Sequence, residues 1–568
     1  MPTLYPAAEP MRPFFLGVLL TTLLPAAEAA PTPPPPESTV RRHLVYFRDK
    51  VGTPFSVAQP QAFLSARAVQ RRTRQGIAVL PRDLPVSPGY VAQVKATAGV
   101  QYRYSSRWFN AAVVECDSAA LARLQTLPFV LSAQTLNRAP ARPPGRAQPG
   151  PATRPAAAEA RRSTRDPSYG EAFWQADMIG AVALHQAGFR GEGMHIAVFD
   201  AGFPGVDQAA PFASLRNEGR LLSTFDFVDQ DRGVFEKNSH GTFTLSCMAG
   251  NLSGTYIGTA PKASYHLLLT EDVGSEHPVE EANWLIAAEY ADSAGVDIIS
   301  SSLGYTTFDF PSPSHTYAEM NGRTALASRA ATVAARVGIL VLNSAGNDGG
   351  NSWRYIGAPA DADSVLAVGA VDSLGVRAGF SSVGPTADGR IKPNLAAQGL
   401  LASYVTTTGS VSRGNGTSYA CPVLAGMAAA FWQARPTLTA QQVIQLLQRS
   451  GSLANSPNNQ LGYGIPDAVR AQALVLAGPA EEAVGALHIF PNPAGRELFL
   501  SLPPELNNQV LRVTIYDGRG ARVAEQTLAA SAARQVALHP GPLRAGLYVC
   551  TVEPGGGGKA RTLRFVQQ

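Results

Sequence analysis

Four runs of apolar, largely β-branched residues constrain this chain most: MHIAVFD (194–200), GVDIISSSLG (295–304), GILVLNSAGN (338–347) and SVLAVGAVD (364–372). Their apolarity is continuous and not alternating, so each reads as a strand covered on both faces, as in a parallel sheet. Helical stretches such as VEEANWLIAAEYADSAG (279–295) and ALASRAATVAARVG (325–338) lie between them. Repeated strand and helix predict a doubly wound α/β domain over 166–478 with a mainly parallel sheet.

The flanks read differently. Arg12 precedes the apolar run FFLGVLLTTLL, and Ala27-Glu28-Ala29 matches a small-residue cleavage site, so 1–30 is expected to be a secretory signal peptide. Its apolar core, Pro13–Leu24, is too short to span a bilayer. Within 31–136, the stretches HLVYF (43–47), FNAAVVEC (109–116) and FVLSAQ (129–134) predict strands. SARAVQRRTRQ (65–75) predicts a basic helix, and Asp117 a cap for SAALARLQTL, which makes a small α+β unit. Residues 137–165 turn to Pro, Ala and Arg, a composition that builds no core and exposes arginines to proteases. Short strands and turns over 485–568, among them ELFLSL and GLYVCTV, predict a β-sandwich, with GGGG (555–558) as a hairpin loop.

The charge distribution excludes the partner that a net +5 suggests. Residues 38–165 hold 20 basic and 5 acidic side chains, whereas 166–484 carry a net −12. The basic piece is therefore expected to face the acidic piece of its own chain, not nucleic acid. Cys116, Cys247, Cys421 and Cys550 are too few for a disulfide framework. Cys247 and Cys421 could pair or stay as two buried thiols.

Three positions in the middle domain carry chemistry. Asp200 ends a buried strand, where functional groups of doubly wound sheets collect. His240 lies in NSHGTFTLSCMAG (238–250), at the opening of a helix. Ser418 lies in GNGTSYACPVLAGMAAAFWQA (414–434), a small-residue turn entering an almost wholly apolar helix, with Pro422 expected in its first turn. Helix N-terminal N–H groups favour developing negative charge there. Taken singly, Ser418 reads equally well as a plain N-cap and His240 as a structural histidine.

Taken together, the order Asp, His, Ser with HGT and GTS-x-A-x-P resembles the subtilisin-like serine proteases, the subtilases. SAGN (344–347), SSLG (301–304), FSSVGPTADGRIKPNLAAQG (380–399) and GYGIPDA (462–468) extend the resemblance over roughly 170–475. The resemblance implies a secreted serine endopeptidase with a subtilisin-like fold and the triad Asp200, His240 and Ser418. It implies an oxyanion hole from Asn347 and the Ser418 N–H. Substrate would lie along Ser302, Leu303 and Gly304, with Ser344, Ala345 and Gly346 walling the pocket before the scissile bond and Gly357 a candidate floor. Ala201 stands where the family usually has Ser or Thr, so one hydrogen bond to the Asp200 carboxylate is expected to be lost. Phe243 stands where a second His is common.

In position, size and β/α order, 31–136 resembles the propeptides of secreted subtilases, which assist folding and block the site until cut away. FPNPA (490–494) with ELFLSL and GLYVCTV resembles the sorting domain of the Bacteroidota type IX secretion route, which implies export through the periplasm to the surface or medium. The implied partners are protein and peptide substrates, the chain's own propeptide and the secretion machinery, for a monomeric enzyme. No cofactor is required for this chemistry. Structural Ca2+ is a family habit for which Asp207, Asp229, Asp231, Asp361 and Asp363 are available without a marking spacing. Two rivals are a sedolisin-type acid protease, against which HGT argues, and a decayed protease domain serving as a surface adhesin.

Overall fold

A computed structural model of the protein describes residues 40–137, 166–476 and 487–567, apart from 491–493, 495–497, 507, 531–534 and 557–559. The signal segment, linker residues 138–165, the Pro491–Pro493 part of FPNPA and Gly557–Gly558 of the glycine run lie outside the described residues.

The N-terminal unit runs β1 (Arg41–Phe47), α1 (Ala66–Arg74), α2 (Pro88–Ala96), β2 (Gln101–Ser106), β3 (Ala111–Cys116), α3 (Ser118–Gln125) and β4 (Val130–Thr135). Its antiparallel sheet has the order β2-β3-β1-β4. Asp117 caps α3 by accepting the Ala120 N–H at 2.7 Å, and Ser65 caps α1. One sheet face buries Val45, Phe47 and Val114 with Val94 of α2 and Leu124 of α3. The other puts Leu44, Trp108, Ala111 and Val113 into a core shared with Trp284 and Ala330 of the next domain. The two units therefore join through apolar packing as well as through charge.

The middle domain carries seven parallel strands: β5 (His195–Asp200), β6 (Leu221–Asp226), β7 (Ser264–Leu269), β8 (Ile298–Ser301), β9 (Leu340–Ser344), β10 (Leu366–Val371) and β11 (Leu395–Gln398). Their order is β11-β10-β9-β8-β5-β7-β6. Alternate residues feed opposite faces: Ile196 and Val198 point to one core, Ala197 and Phe199 to the other. On the first face lie α4 (His240–Ala249) and the central helix α7 (Thr417–Ala434); on the second lie α5 (Val279–Ala294) and α6 (Leu326–Arg336). This is the doubly wound arrangement expected from the continuous apolar runs.

The C-terminal region forms two antiparallel sheets. One has β12 (His488–Phe490), β13 (Leu498–Ser501) and β16 (Gln535–Leu538); the other has β14 (Leu511–Asp517), β15 (Arg522–Leu528), β17 (Gly546–Pro554) and β18 (Arg561–Gln567). Their inward side chains share a core containing Leu500, Val513, Cys550 and Phe565. Strands β17 and β18 pair directly across the glycine run. Among the described residues, no helix is long and apolar enough to cross a membrane.

Candidate active site

Parallel register aligns the carboxyl ends of the central strands. Ser301 stands opposite both Phe199 and Asn343, so Asp200, Ser302 and Ser344 follow at one level on the rim. Asp200 is fully buried there. The start of α4 reaches it because residue 241 is glycine. A Cβ at Gly241 would lie 2.3 Å from the Gly202 carbonyl oxygen and 2.9 Å from Asp200 Cβ.

That approach brings His240 Nδ1 to 2.7 Å from Asp200 Oδ1. A carboxylate only accepts, so Nδ1 carries the proton and Nε2 is left as the accepting nitrogen. Two further donors hold the carboxylate: the Ala201 N–H on Oδ1 at 2.8 Å and Thr244 Oγ1 on Oδ2 at 2.9 Å. Burial works against the imidazolium, but the charge and hydrogen bond of Asp200 outweigh it. His240 therefore titrates above the ordinary histidine range.

Ser418 is the second residue of α7 and is 9% exposed; the N-cap position is Gly416. Its Oγ donates to the Ser302 carbonyl at 3.5 Å, and no hydrogen bond joins it to His240 in this conformation. Ser418 N–H falls in the first turn, where the helix offers no acceptor. Helices α4 and α7 are tied near their starts by ring contacts, with Tyr404 tilted against Phe243 at 4.5 Å and stacked on Tyr419 at 5.1 Å between centroids.

Asn347 is oriented by Thr417. Its Oδ1 accepts both the Thr417 N–H at 2.9 Å and Thr417 Oγ1 at 3.0 Å. The backbone N–H can only donate, which assigns the oxygen and turns Nδ2 the other way. A Cβ at Gly416 would sit 3.7 Å from Asn347 Nδ2 and 3.6 Å from Ser418 N, so two N–H donors flank one open spot.

The stretch 302–304 runs past this spot. The Leu303 carbonyl accepts Asn343 Nδ2 at 2.8 Å and Ser344 Oγ at 3.4 Å, and Tyr305 pairs with Ala358 in both directions. Ala345 is buried, and the Gly346 N–H donates to Thr417 Oγ1 at 3.2 Å. A Cβ on Gly357 would lie 2.6 Å from Thr306 Cγ2, so that glycine packs closely against the 305–306 segment.

Comparison with known proteins shows the family to which this sequence belongs. The profile of the Subtilase family matches residues 191–464. The subtilisin of Bacillus pumilus is 32% identical over 283 residues, covering 49% of this chain and 90% of that protein. The chain belongs to the subtilase family. Subtilisin NAT of Bacillus subtilis subsp. natto is 34% identical over 291 residues, 50% of this chain and 67% of its own length. Among solved structures, the MycP3 protease from the type VII (ESX-3) secretion system is similar, with 22% identity, a TM-score of 0.43, and 54% of this chain and 89% of that chain covered. The Bacteroidota Peptidase S8 propeptide domain matches residues 42–148, and a Secretion system C-terminal sorting domain matches 488–564. The protein is thus a subtilisin-like serine protease carrying a propeptide and a secretion sorting domain, and the latter marks it for export.

Several sequence expectations about this subtilase site need correcting. The bond expected to be lost at Ala201 is replaced from another element, by Thr244 on α4. Pro422 is the sixth residue of α7, beyond the first turn, so its missing N–H leaves the Ser418 carbonyl without its helical donor. Ser302 Oγ takes that place at 3.0 Å. Ser418 is not an N-cap; no side chain caps α7. Of the two alternatives left open for Cys247 and Cys421, two buried free thiols is the one observed and needs no correction. Sequence reasoning missed Thr417 and Thr244, whose spacing from Ser418 and His240 gives no sign of what their hydroxyls reach. It also missed Glu271, which accepts Tyr305 Oη at 2.7 Å and is pushed up to about 8, chiefly by burial.

No group of three or more His, Cys, Asp or Glu side chains arranged to hold a metal occurs among the described residues. Asp361 accepts the Gly322 N–H and Ser328, Asp229 pairs with Lys237, Asp231 accepts the Gly233 N–H, and Asp363 accepts the Ser364 N–H. Asp207 lies on another loop beside Gln208. These carboxylates do not form one ligand set, and they do not fit a shared Ca2+.

Proposed function

We propose that Ser418 is the nucleophile of this protease and His240 its general base. Attack requires the hydroxyl to leave the Ser302 carbonyl and hydrogen-bond His240 Nε2. His240 takes the proton as Oγ bonds to the substrate carbonyl carbon, and returns it to the leaving amine as the C–N bond breaks. Asp200 holds the tautomer and stabilises the imidazolium without taking the proton. Water then repeats the sequence on the acyl-enzyme, again with His240 as base.

The orientation of Asn347 carries this reading. Its amide Nδ2 and the Ser418 N–H flank one open position beside Gly416, where the oxyanion of a tetrahedral intermediate would be bound. Substrate would add as a strand along Ser302, Leu303 and Gly304, with Ser344, Ala345 and Gly346 beside the residue preceding the scissile bond.

The same proposal assigns 1–30 to a signal peptide, 31–136 to an inhibitory propeptide that assists folding, 137–165 to a cleavable linker, 166–478 to the catalytic domain and 485–568 to the sorting domain. The mature enzyme acts as a monomer and needs no cofactor for chemistry. The deciding experiment compares wild type with Ser418→Ala on a denatured protein, with the fragments sequenced and Ser418 probed with an organophosphonate. Wild type is expected to cleave and take up label at Ser418, and the variant to do neither. Label at another serine, or an active Ser418→Ala protein, overturns the assignment.

A further inference from the structure

Strands β6, β7 and β5 put a short polar row on the α5 face of the sheet. Ser223 of β6 stands directly opposite His266 of β7, and His266 is the diagonal neighbour of His195, the first residue of β5. The rest of that face is apolar: Ala197, Phe199 and Leu268 share one core with Trp284. Peptide cleavage uses neither histidine. His195 lies at the amino rim, about 16 Å from Asp200 over five strand steps.

The two rings meet nitrogen to nitrogen. His266 Nε2 and His195 Nδ1 are 3.5 Å apart, beyond the ordinary hydrogen-bond range of about 2.7–3.2 Å. The ring planes are inclined by 44° with centroids 5.6 Å apart, so the rings do not stack. Two imidazoles on a tetrahedral zinc, each at about 2.0–2.1 Å, hold their nitrogens about 3.3–3.4 Å apart. The observed gap is that bite, slightly opened. Adjacent positions of an octahedral ion at the same bond length need only about 2.9–3.0 Å, a poorer fit.

The surroundings prepare both rings as ligands. His266 Nδ1 lies 2.8 Å from Ser223 Oγ, which can accept its proton and so leave Nε2 a free lone pair. Burial pushes both imidazoles down to about 4, which keeps them neutral at pH 7, the form that binds metal. The Asp297 carboxylate accepts the His195 N–H at 3.0 Å and brings negative charge beside the pair; Arg67, paired with Asp297, opposes it. His195 is half-buried and gives an ion its approach from solvent, whereas His266 is buried.

We propose that His195 and His266 form a zinc site, with water completing the tetrahedron, that clasps β5 to β7 at the rim opposite the active site. Its role is structural. An ion that binds the folded sheet and not the unfolded chain stabilises the fold by mass action.

The test titrates Zn2+ by calorimetry into full-length Ser418→Ala protein, used to keep the sample from digesting itself. One ion per chain is expected, bound at least tenfold more weakly by His195→Gln and by His266→Gln and about tenfold more weakly by Ser223→Ala. The rise in unfolding temperature that Zn2+ gives the parent should vanish in both histidine variants. No binding by the parent, or binding within twofold of the parent by both histidine variants, overturns the proposal. If those variants do not fold, diffraction at the zinc edge from parent crystals soaked in Zn2+ decides. An anomalous peak between His195 Nδ1 and His266 Nε2 supports the site; peaks only elsewhere, or none, overturn it. Neither readout needs peptidase activity, so failure of the Ser418 assignment would be seen separately.

Discussion

Thr244 donates its hydroxyl to Asp200 Oδ2 at 2.9 Å, opposite the oxygen that receives His240. Both residues are buried, so this bond and the Ala201 N–H fix the carboxylate where water does not reach. Thr244→Val keeps the shape and removes the donor. It is expected to lower kcat about tenfold, ~1.4 kcal/mol, with KM unchanged. Thr244→Ser should keep most of the activity, and Ala201→Ser in the Thr244→Val background should restore part of it. Steady-state kinetics on the four proteins check this; a valine variant within twofold of wild type would show that the bond is dispensable.

Ser302 Oγ satisfies the Ser418 carbonyl that Pro422 leaves without a helical donor. Ser302→Ala strands a buried acceptor, costing about 1–3 kcal/mol. Thermal unfolding should fall by several degrees, and Pro422→Ala in the same protein should recover part of the loss by returning an N–H to that carbonyl. Calorimetry of the single and double variants is the measurement.

Asn347→Ala removes the side-chain donor aimed beside Gly416. A fall in kcat of about 10²–10³ is expected, the size seen for the equivalent donor in a related protease. Gly416→Ala should cut kcat by filling the same spot, with its Cβ 3.6 Å from Ser418 N, and should also lower the unfolding temperature, because L side chains rarely adopt the φ of +158° found there. A stable Gly416→Ala enzyme of full activity would argue against an oxyanion there.

His240 acts as base only when neutral, and its pKa is raised above 6.5. Activity is therefore lost as pH falls through that raised value, and kcat/KM should drop about tenfold per pH unit below it. Glu271 is held protonated until about pH 8. Glu271→Gln should thus leave the profile below pH 7 within twofold of wild type and alter only its alkaline side. A pH–rate series on both proteins provides the check.

Deletion of 485–568 should leave peptidase activity intact in lysates and abolish export, read by fractionation. The C-terminal sheets have their own core, which supports their removal as a unit. An exported deletion protein would contradict the sorting role.

Much of this molecule was legible in its sequence because burial writes itself into composition. Continuous Val, Ile and Leu runs marked β5, β8, β9 and β10, and the Ala- and Gly-rich stretch after Ser418 marked the central helix. Helix α2 and strand β2 were not legible. GYVAQVKA lacks a clear apolar stripe, and QYRYSS is a strand whose side chains are mostly half-exposed.

The chain's order and patterning alone determined the layered sheet, the unlike flanking units, the basic piece opposite the acidic one, and the three residue types that meet at the rim. Tertiary structure decided which hydroxyl replaces the missing partner of Asp200, what answers the carbonyl exposed by Pro422, and which hydroxyl meets the ring of His266. Hydrogen-bond partners of buried polar groups are chosen by distance in space. Thr244 and Asp200 are 44 residues apart, Ser302 and Ser418 are 116 apart, and Ser223 and His266 are 43 apart. A period of two or 3.6 residues fixes which face is buried; only the packed elements bring one particular donor to one particular acceptor.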